Sequence, residues 1–262
     1  MYRKIIEELK DWKNKKNRLP LILKGARQVG KTWILQEFGK QCFKDVLYIN
    51  FENESGISDL FEGSIEPNRI IEFLSAINRK KIDPANTLII FDEIQELPRA
   101  LTSLKYFAEQ APEYAICCAG SLLGVFLNDL VSFPVGKVEF LELNPLDFEE
   151  FLIANKENEI IELLKYDNKK IPEIFTSRLN DYLKKYFVIG GMPRAVKTWL
   201  EEKDFEKVEI VQKGILESYS RDFSKHTDKN TATKINYIWS SIPSQLAKEN
   251  RKFIYGLVNE RG

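Results

Sequence analysis

The sequence has little of what metal and disulfide proteins are built from. His226 is its one histidine, and its three cysteines are Cys42, Cys117 and Cys118. A histidine with no cysteine or second histidine beside it cannot anchor a zinc site of ordinary composition, so His226 is expected at the surface. Three thiols make no even disulfide framework. The adjacent pair lies in an apolar run that reads as a buried strand, where a reduced thiol behaves as a small hydrophobe. There is no excess of either charge, because 39 basic side chains face 39 acidic ones, and the whole-molecule field gives no argument for nucleic acid or a membrane surface. The basic run Lys13-Asn14-Lys15-Lys16-Asn17-Arg18 reads as a solvated helix end. No stretch approaches the roughly 18 apolar residues of a membrane span. The N-terminus places Glu7 and Glu8 where a signal peptide would be apolar. The expected compartment is the cytoplasm. Internal repeats and low-complexity tracts are also absent from the sequence.

What is present is ample for a core. The chain has 262 residues, more than one ordinary domain needs, so a main domain followed by something smaller is expected. Tyr2, Ile5, Ile6, Leu9 and Trp12 recur at helical spacing over residues 2 to about 16. After Pro20 come the short apolar run Leu21-Ile22-Leu23, a helix from Lys31 to about Gly39, and a strand from Val46 to Phe51. Pro67 opens a helical segment carrying Ile70, Ile71, Leu74 and Ile77. Leu88–Phe91 reads as a third strand, Leu97–Ala111 as a helix, and Tyr114–Ala119 as a fourth strand. Continuously apolar strands alternating with helices predict a parallel sheet covered on both faces, an α/β fold. A fifth strand is expected over Val138–Leu143. Beyond Asn144-Pro145 the pattern is helical, strongest over Ile171–Val188 and Glu202–Phe223, with Gly190-Gly191-Met192-Pro193 as a turn between them. The expected division is a core over 1–144, a helical lid over 145–202, and a partial helical C-terminal segment over 203–262.

Gly25-Ala26-Arg27-Gln28-Val29-Gly30-Lys31-Thr32 fits G-x-x-x-x-G-K-[ST] between a strand and a helix. In such a loop the backbone N–H groups curl around phosphates and the positive end of the next helix faces the same charge. Lys31 would contact the β and γ phosphates, the Thr32 hydroxyl would ligate magnesium, and Trp33 follows directly. Leu88-Ile89-Ile90-Phe91-Asp92-Glu93 is an apolar strand ending in two carboxylates. Asp92 can hold the metal through water, and Glu93 can orient or deprotonate the attacking water. The fourth strand ends at Ala119-Gly120-Ser121. Ser121 there either senses the γ phosphate at the carboxyl edge of the sheet or caps the helical pattern that follows.

Together these residues resemble the AAA-plus branch of P-loop ATPases, in which a glutamate follows the second-motif aspartate and a polar sensor ends the next strand. Phe133-Pro134-Val135-Gly136-Lys137-Val138, Leu143-Asn144-Pro145-Leu146-Asp147-Phe148-Glu149-Glu150-Phe151 and Gly190-Gly191-Met192-Pro193 are similar to a group of prokaryotic AAA-plus proteins. In that group the ATPase is joined to a C-terminal domain of unknown function with a restriction-nuclease-like core. The resemblance spans essentially the whole chain. It implies a sensor strand between the strands of the two nucleotide motifs, a helical lid, and Arg194 as a lid arginine that reads the nucleotide, the alternative being an ordinary helix-start arginine. Lys137 stands where relatives usually have arginine, and lysine cannot make that residue's bidentate contact.

The apolar residues Ile235, Ile238, Trp239, Ile242 and Leu246 and the run Phe253–Val258 read as the start of a small helical, winged-helix-like module that stops short of the length relatives reach. The expected function is that of an ATP- and magnesium-dependent ATPase cycling between ATP and ADP, the alternative a slow nucleotide switch that binds a partner. The absence of an Asn-Lys-x-Asp motif favours ATP over GTP. The expected partner is an unidentified protein or the family's own C-terminal domain. Nucleic acid has no support in the charge balance, no membrane is expected, and a homo-oligomer stays open.

Overall fold

The computed structural model describes residues 1–53, 56–120, 134–164, 172–225 and 229–247, with backbone only at 164, 224, 225 and 229. Five strands, β1 (Leu21–Lys24), β2 (Asp45–Asn50), β3 (Thr87–Asp92), β4 (Ala115–Ala119) and β5 (Glu139–Glu142), form one sheet in the order β2-β3-β4-β1-β5. Every pairing is parallel. Parallel neighbours require crossovers of a dozen or more residues, and the intervening helices supply them. β4 therefore lies between β1 and β3, as the resemblance implies.

Strand periodicity divides the core into two layers. Along β3, Leu88 and Ile90 point to one face, with α1 (Ile5–Asn14) and α2 (Lys31–Cys42) packed over them through Leu9, Trp12, Leu35 and Phe38. Ile89 and Phe91 point to the other, under the one-turn α3 (Ser58–Phe61), α4 (Pro67–Ile77) and α5 (Pro98–Gln110), which contribute Phe61, Leu74, Leu104 and Phe107. Leu88 to Phe91 are fully buried. At roughly 1.5–3 kcal/mol for each such side chain, a strand covered on both faces gains from being apolar at every position. The edge strands differ: β2 and β5 are only partly buried, so acids survive in β5.

Cys117 and Cys118 fall on opposite faces of β4 and are buried free thiols. Burial pushes both well above the usual thiol range. Neither should react with a thiol reagent until the protein unfolds. Modification mapped to either residue in the native protein, at a rate above that of unfolding, would contradict this packing.

After β5 the described chain is helical, with α6 (Phe148–Ala154), α7 (Asn158–Leu164), α8 (Glu173–Ile189), α9 (Pro193–Glu202), α10 (Phe205–Lys225) and α11 (Lys229–Leu246). A capping box starts α6, with Asp147 accepting from the Glu150 N–H and the Glu150 side chain reaching back to the Asp147 N–H. The sequence pattern leaves α9 unassigned between the two long helices. Pro193 ends the glycine turn but also starts this helix at a position where its missing N–H costs nothing. Ala195, Val196 and Trp199 then bury against Leu146, Phe151 and Ile189. The turn itself is held close: a Cβ on Gly191 would lie 2.1 Å from the Leu146 carbonyl oxygen, and the Leu146 N–H donates to the Gly191 carbonyl at 2.7 Å.

Candidate functional site

The carboxyl edge of the sheet gathers the residues marked by the two motifs. β1 ends at Lys24, and Gly25 follows with φ +154°. A Cβ there would stand 2.3 Å from the Leu143 carbonyl oxygen, so the close return of the chain after β5 allows only glycine. Ala26 and Arg27 continue the loop, Gln28 takes a left-handed conformation at φ 65°, and Val29 is buried in the core beneath α2. The Val29 side chain is thus structural, and only its backbone is left for a ligand. Gly30 precedes the first turn of α2, so the free N–H groups of that turn open beside Lys31 and Thr32.

Lys31 is 8% exposed, and its Nζ donates to the Gly25 and Ala26 carbonyls at 2.8 Å each. Burial lowers its proton affinity, the carboxylates of Glu93 and Asp92 oppose that, and the charge of Arg27 adds to it. Asp92, 3% exposed, is held by three donors: Thr32 Oγ1 at 2.7 Å and Tyr48 Oη at 2.8 Å, both on Oδ2, and the Glu93 N–H at 3.1 Å on Oδ1. Tyr48 goes unread in the sequence because it sits inside an apolar strand. Its signal is register: β2 lies beside β3 with Asn50 opposite Asp92, which brings a tyrosine's polar tip to the strand end. Burial, with the neighbouring Asp92 carboxylate, pushes the Tyr48 phenol up to about 12, so it stays a donor.

Glu93 has φ 51° and ψ 45°, a left-handed conformation that is strained for a non-glycine residue and common at working sites. Its Oε2 accepts from Gln95 Nε2 at 2.6 Å. Gln95 is buried, and its Oε1 has no partner among the described residues. Ser121 lies outside the described residues. Lys137 pairs with Glu109 on α5 at 3.0 Å.

Beside the loop is a cavity of about 680 Å³ whose lining includes Tyr2, Val29, Gly30, Trp33, Pro193 and Arg194. Trp33 is 44% exposed into this region, and Arg194, at the start of α9, reaches the same cavity. The sequence-marked Arg194 and Trp33 are thereby brought together with the loop. Arg3 was missed. It is buried, with its guanidinium on Glu150 Oε2 at 3.1 Å, the Val29 carbonyl at 3.2 Å and the Asn144 carbonyl at 2.5 Å. An arginine before an amphipathic helix carries no pattern that announces such burial. Arg27 pairs with Asp222 on α10, a contact 195 residues away in sequence that local patterns do not reveal.

The family model described as an AAA domain matches residues 17–152, just over half of the chain. The chain belongs to the AAA domain family. A second model, a domain of unknown function, matches residues 180–261. No curated protein matches. Among solved structures, a Walker-type ATPase of Pyrococcus abyssi aligns at TM-score 0.53 and 18% identity, covering 97% of this chain and 85% of that one. At that identity the likeness is one of fold. Weaker matches are AMPPCP-bound DnaA of Aquifex aeolicus, at TM-score 0.43, 14% identity and coverages of 97% and 80%, and the Orc1 protein of Aeropyrum pernix in complex with DNA, at 0.41, 14%, 99% and 74%. Among the described residues no helix is long and apolar enough to cross a membrane.

Proposed function

We propose that this AAA domain binds ATP with magnesium in the Gly25–Thr32 loop and hydrolyses it, using Glu93 to activate water. The observation that carries the reading is the 2.7 Å hydrogen bond from Thr32 Oγ1 to Asp92 Oδ2, which joins the two nucleotide motifs at one point beside Lys31. A threonine hydroxyl has one proton and two lone pairs. Spending the proton on Asp92 leaves oxygen lone pairs for a cation. The Thr32 hydroxyl and the Asp92 carboxylate suit magnesium, which prefers hard oxygen donors and completes its shell with water and substrate phosphates. When bound, the ion would neutralise charge on the β and γ phosphates. Lys31 would hold the same oxygens, the Gly25–Thr32 N–H groups would cradle them, and Asp92 would be fixed by Tyr48. The Glu93 carboxylate would take the proton from an attacking water. The cavity beside Trp33 and Arg194 would receive the nucleoside, with Arg194 at its lid side.

The finer reading extends to the division into a core over 1–144, a lid over 145–202 and a C-terminal segment over 203–262. Hydrolysis would shift the lid through Pro193 and Arg194, whose helix borders the loop at Gly30. The link to a restriction-nuclease-like C-terminal domain rests on the sequence resemblance, and a protein partner or a second copy would act through that region. A slow switch is the second reading. It is favoured by the Gln95 hydrogen bond, which occupies a Glu93 carboxylate oxygen, and by a lysine at position 137, which cannot make an arginine's bidentate contact.

The test of nucleotide binding is Lys31→Ala. Lys31 touches loop carbonyls and no core side chain in its hydrogen bonding, so the variant should fold as the parent does while ATP affinity falls below detection by calorimetry. Unchanged affinity would remove the loop from the site.

A further inference from the structure

Three side chains of α10 close on two adjacent residues of the phosphate loop. Asp222 forms an ion pair with Arg27, Tyr219 Oη donates to the Arg27 carbonyl at 2.7 Å, and Gln28 Nε2 donates to Ser218 Oγ at 2.5 Å. The Asp222 side chain is 12% exposed and that of Arg27 33%. One contact holds the side chain of Gln28, the one residue of this loop with a left-handed backbone that is not glycine, and the other two hold Arg27 directly before it. Such a conformation persists only where its surroundings over-determine it, and the α10 contacts supply that restraint from outside the loop. Tyr219 also looks the other way: its ring stacks on Trp239 of α11 at 5.6 Å and 15°. α10 is itself anchored on the lid, where Gln212 Nε2 donates to the Val188 and Ile189 carbonyls at 2.8 and 3.0 Å.

We propose that Ser218, Tyr219 and Asp222 are positioning residues for the phosphate loop: they hold the Arg27–Gln28 turn in its phosphate-receiving form, so that nucleotide affinity and docking of the C-terminal helices rise and fall together. This rests on the reading of Gly25–Thr32 as a nucleotide-binding loop and goes beyond it, because it assigns part of the binding energy to a region outside the matched AAA domain. A coupling between two equilibria is reciprocal. If α10 strengthens nucleotide binding, bound nucleotide strengthens α10 docking by the same factor, and a partner that pulls α10 away would lower nucleotide affinity by that factor.

The experiment uses the full chain with Tyr219→Phe, Asp222→Asn and Asp222→Glu, read by ATP calorimetry with magnesium and by hydrogen exchange across residues 212–223. Tyr219→Phe keeps the ring on Trp239 and removes only the hydroxyl, so the helices remain packed. Both it and Asp222→Asn should lose about fivefold or more in ATP affinity, while Asp222→Glu, which keeps the charge, recovers most of it. Saturating ATP should slow exchange of α10 in the parent and do so less in the two weakened variants. A parent that binds ATP alongside variants that bind it as tightly or more tightly would overturn the proposal and leave the nucleotide site standing. So would α10 exchange indifferent to ATP in the parent. A parent that binds no ATP would overturn the nucleotide reading and this inference with it.

Discussion

A Glu93→Gln protein is expected to retain ATP and magnesium and to hydrolyse ATP about 10²–10⁴-fold more slowly than the parent, the usual range for loss of a positioned general base. Glutamine is the informative replacement. Gln95 Nε2 donates to Glu93 Oε2 at 2.6 Å, and an amide oxygen at position 93 can still accept that bond. Alanine would leave both polar ends of the buried Gln95 without partners and add a folding defect of about 1–3 kcal/mol to any kinetic one. Single-turnover hydrolysis at protein concentrations above that of ATP measures the chemical step without product release. Equal rates in variant and parent would make Glu93 structural and require the water to be activated elsewhere. A parent too slow to turn over under those conditions, with ATP still bound, would favour the switch reading.

Much of the sheet and of the site is legible in the sequence because each rests on a short-range signal. β3 is continuously apolar where both faces are covered, and the G-x-x-x-x-G-K-T loop needs its glycines where Gly25 passes under the Leu143 carbonyl. Within the order β2-β3-β4-β1-β5, only the place of β4 between β1 and β3 follows from the resemblance, since periodicity alone does not say which strands are neighbours. What stays hidden is what depends on distant parts of the chain. Tyr48 reaches Asp92 only because β2 and β3 pair in one register. α9 hides because Gly190-Gly191-Met192-Pro193 reads as a stop, although Pro193 is equally a start. The α10 contacts with Arg27 and Gln28 join residues about 190 apart, and no local pattern encodes them.

The other large effect lies in the same hidden class, at the buried Arg3–Glu150 pair. Both side chains are 6% exposed. Glu150 Oε1 accepts from the Lys4 N–H at 2.7 Å, and its Oε2 accepts from Arg3 Nε and from the Asp147 N–H at 3.2 Å. Glu150→Ala removes the anion and leaves the guanidinium enclosed, with only the Val29 and Asn144 carbonyls among its described hydrogen-bond acceptors. Breaking a buried pair from one side costs about 3–5 kcal/mol, a large share of the roughly 5–15 kcal/mol by which proteins are stable. The melting temperature should fall by on the order of 10 °C. Removing both charges behaves differently, because neither partner is then left uncompensated. An Arg3→Met, Glu150→Leu double variant should recover much of the stability lost by Glu150→Ala. It should nevertheless lose nucleotide affinity, which Glu150→Ala keeps, since Arg3 Nη1 is what ties the Val29 carbonyl of the Gly25–Thr32 loop to the start of α1. Thermal denaturation and ATP calorimetry on the two variants separate these roles. A double variant with parental affinity would limit Arg3 to folding, and a Glu150→Ala protein as stable as the parent would mean that water reaches the guanidinium.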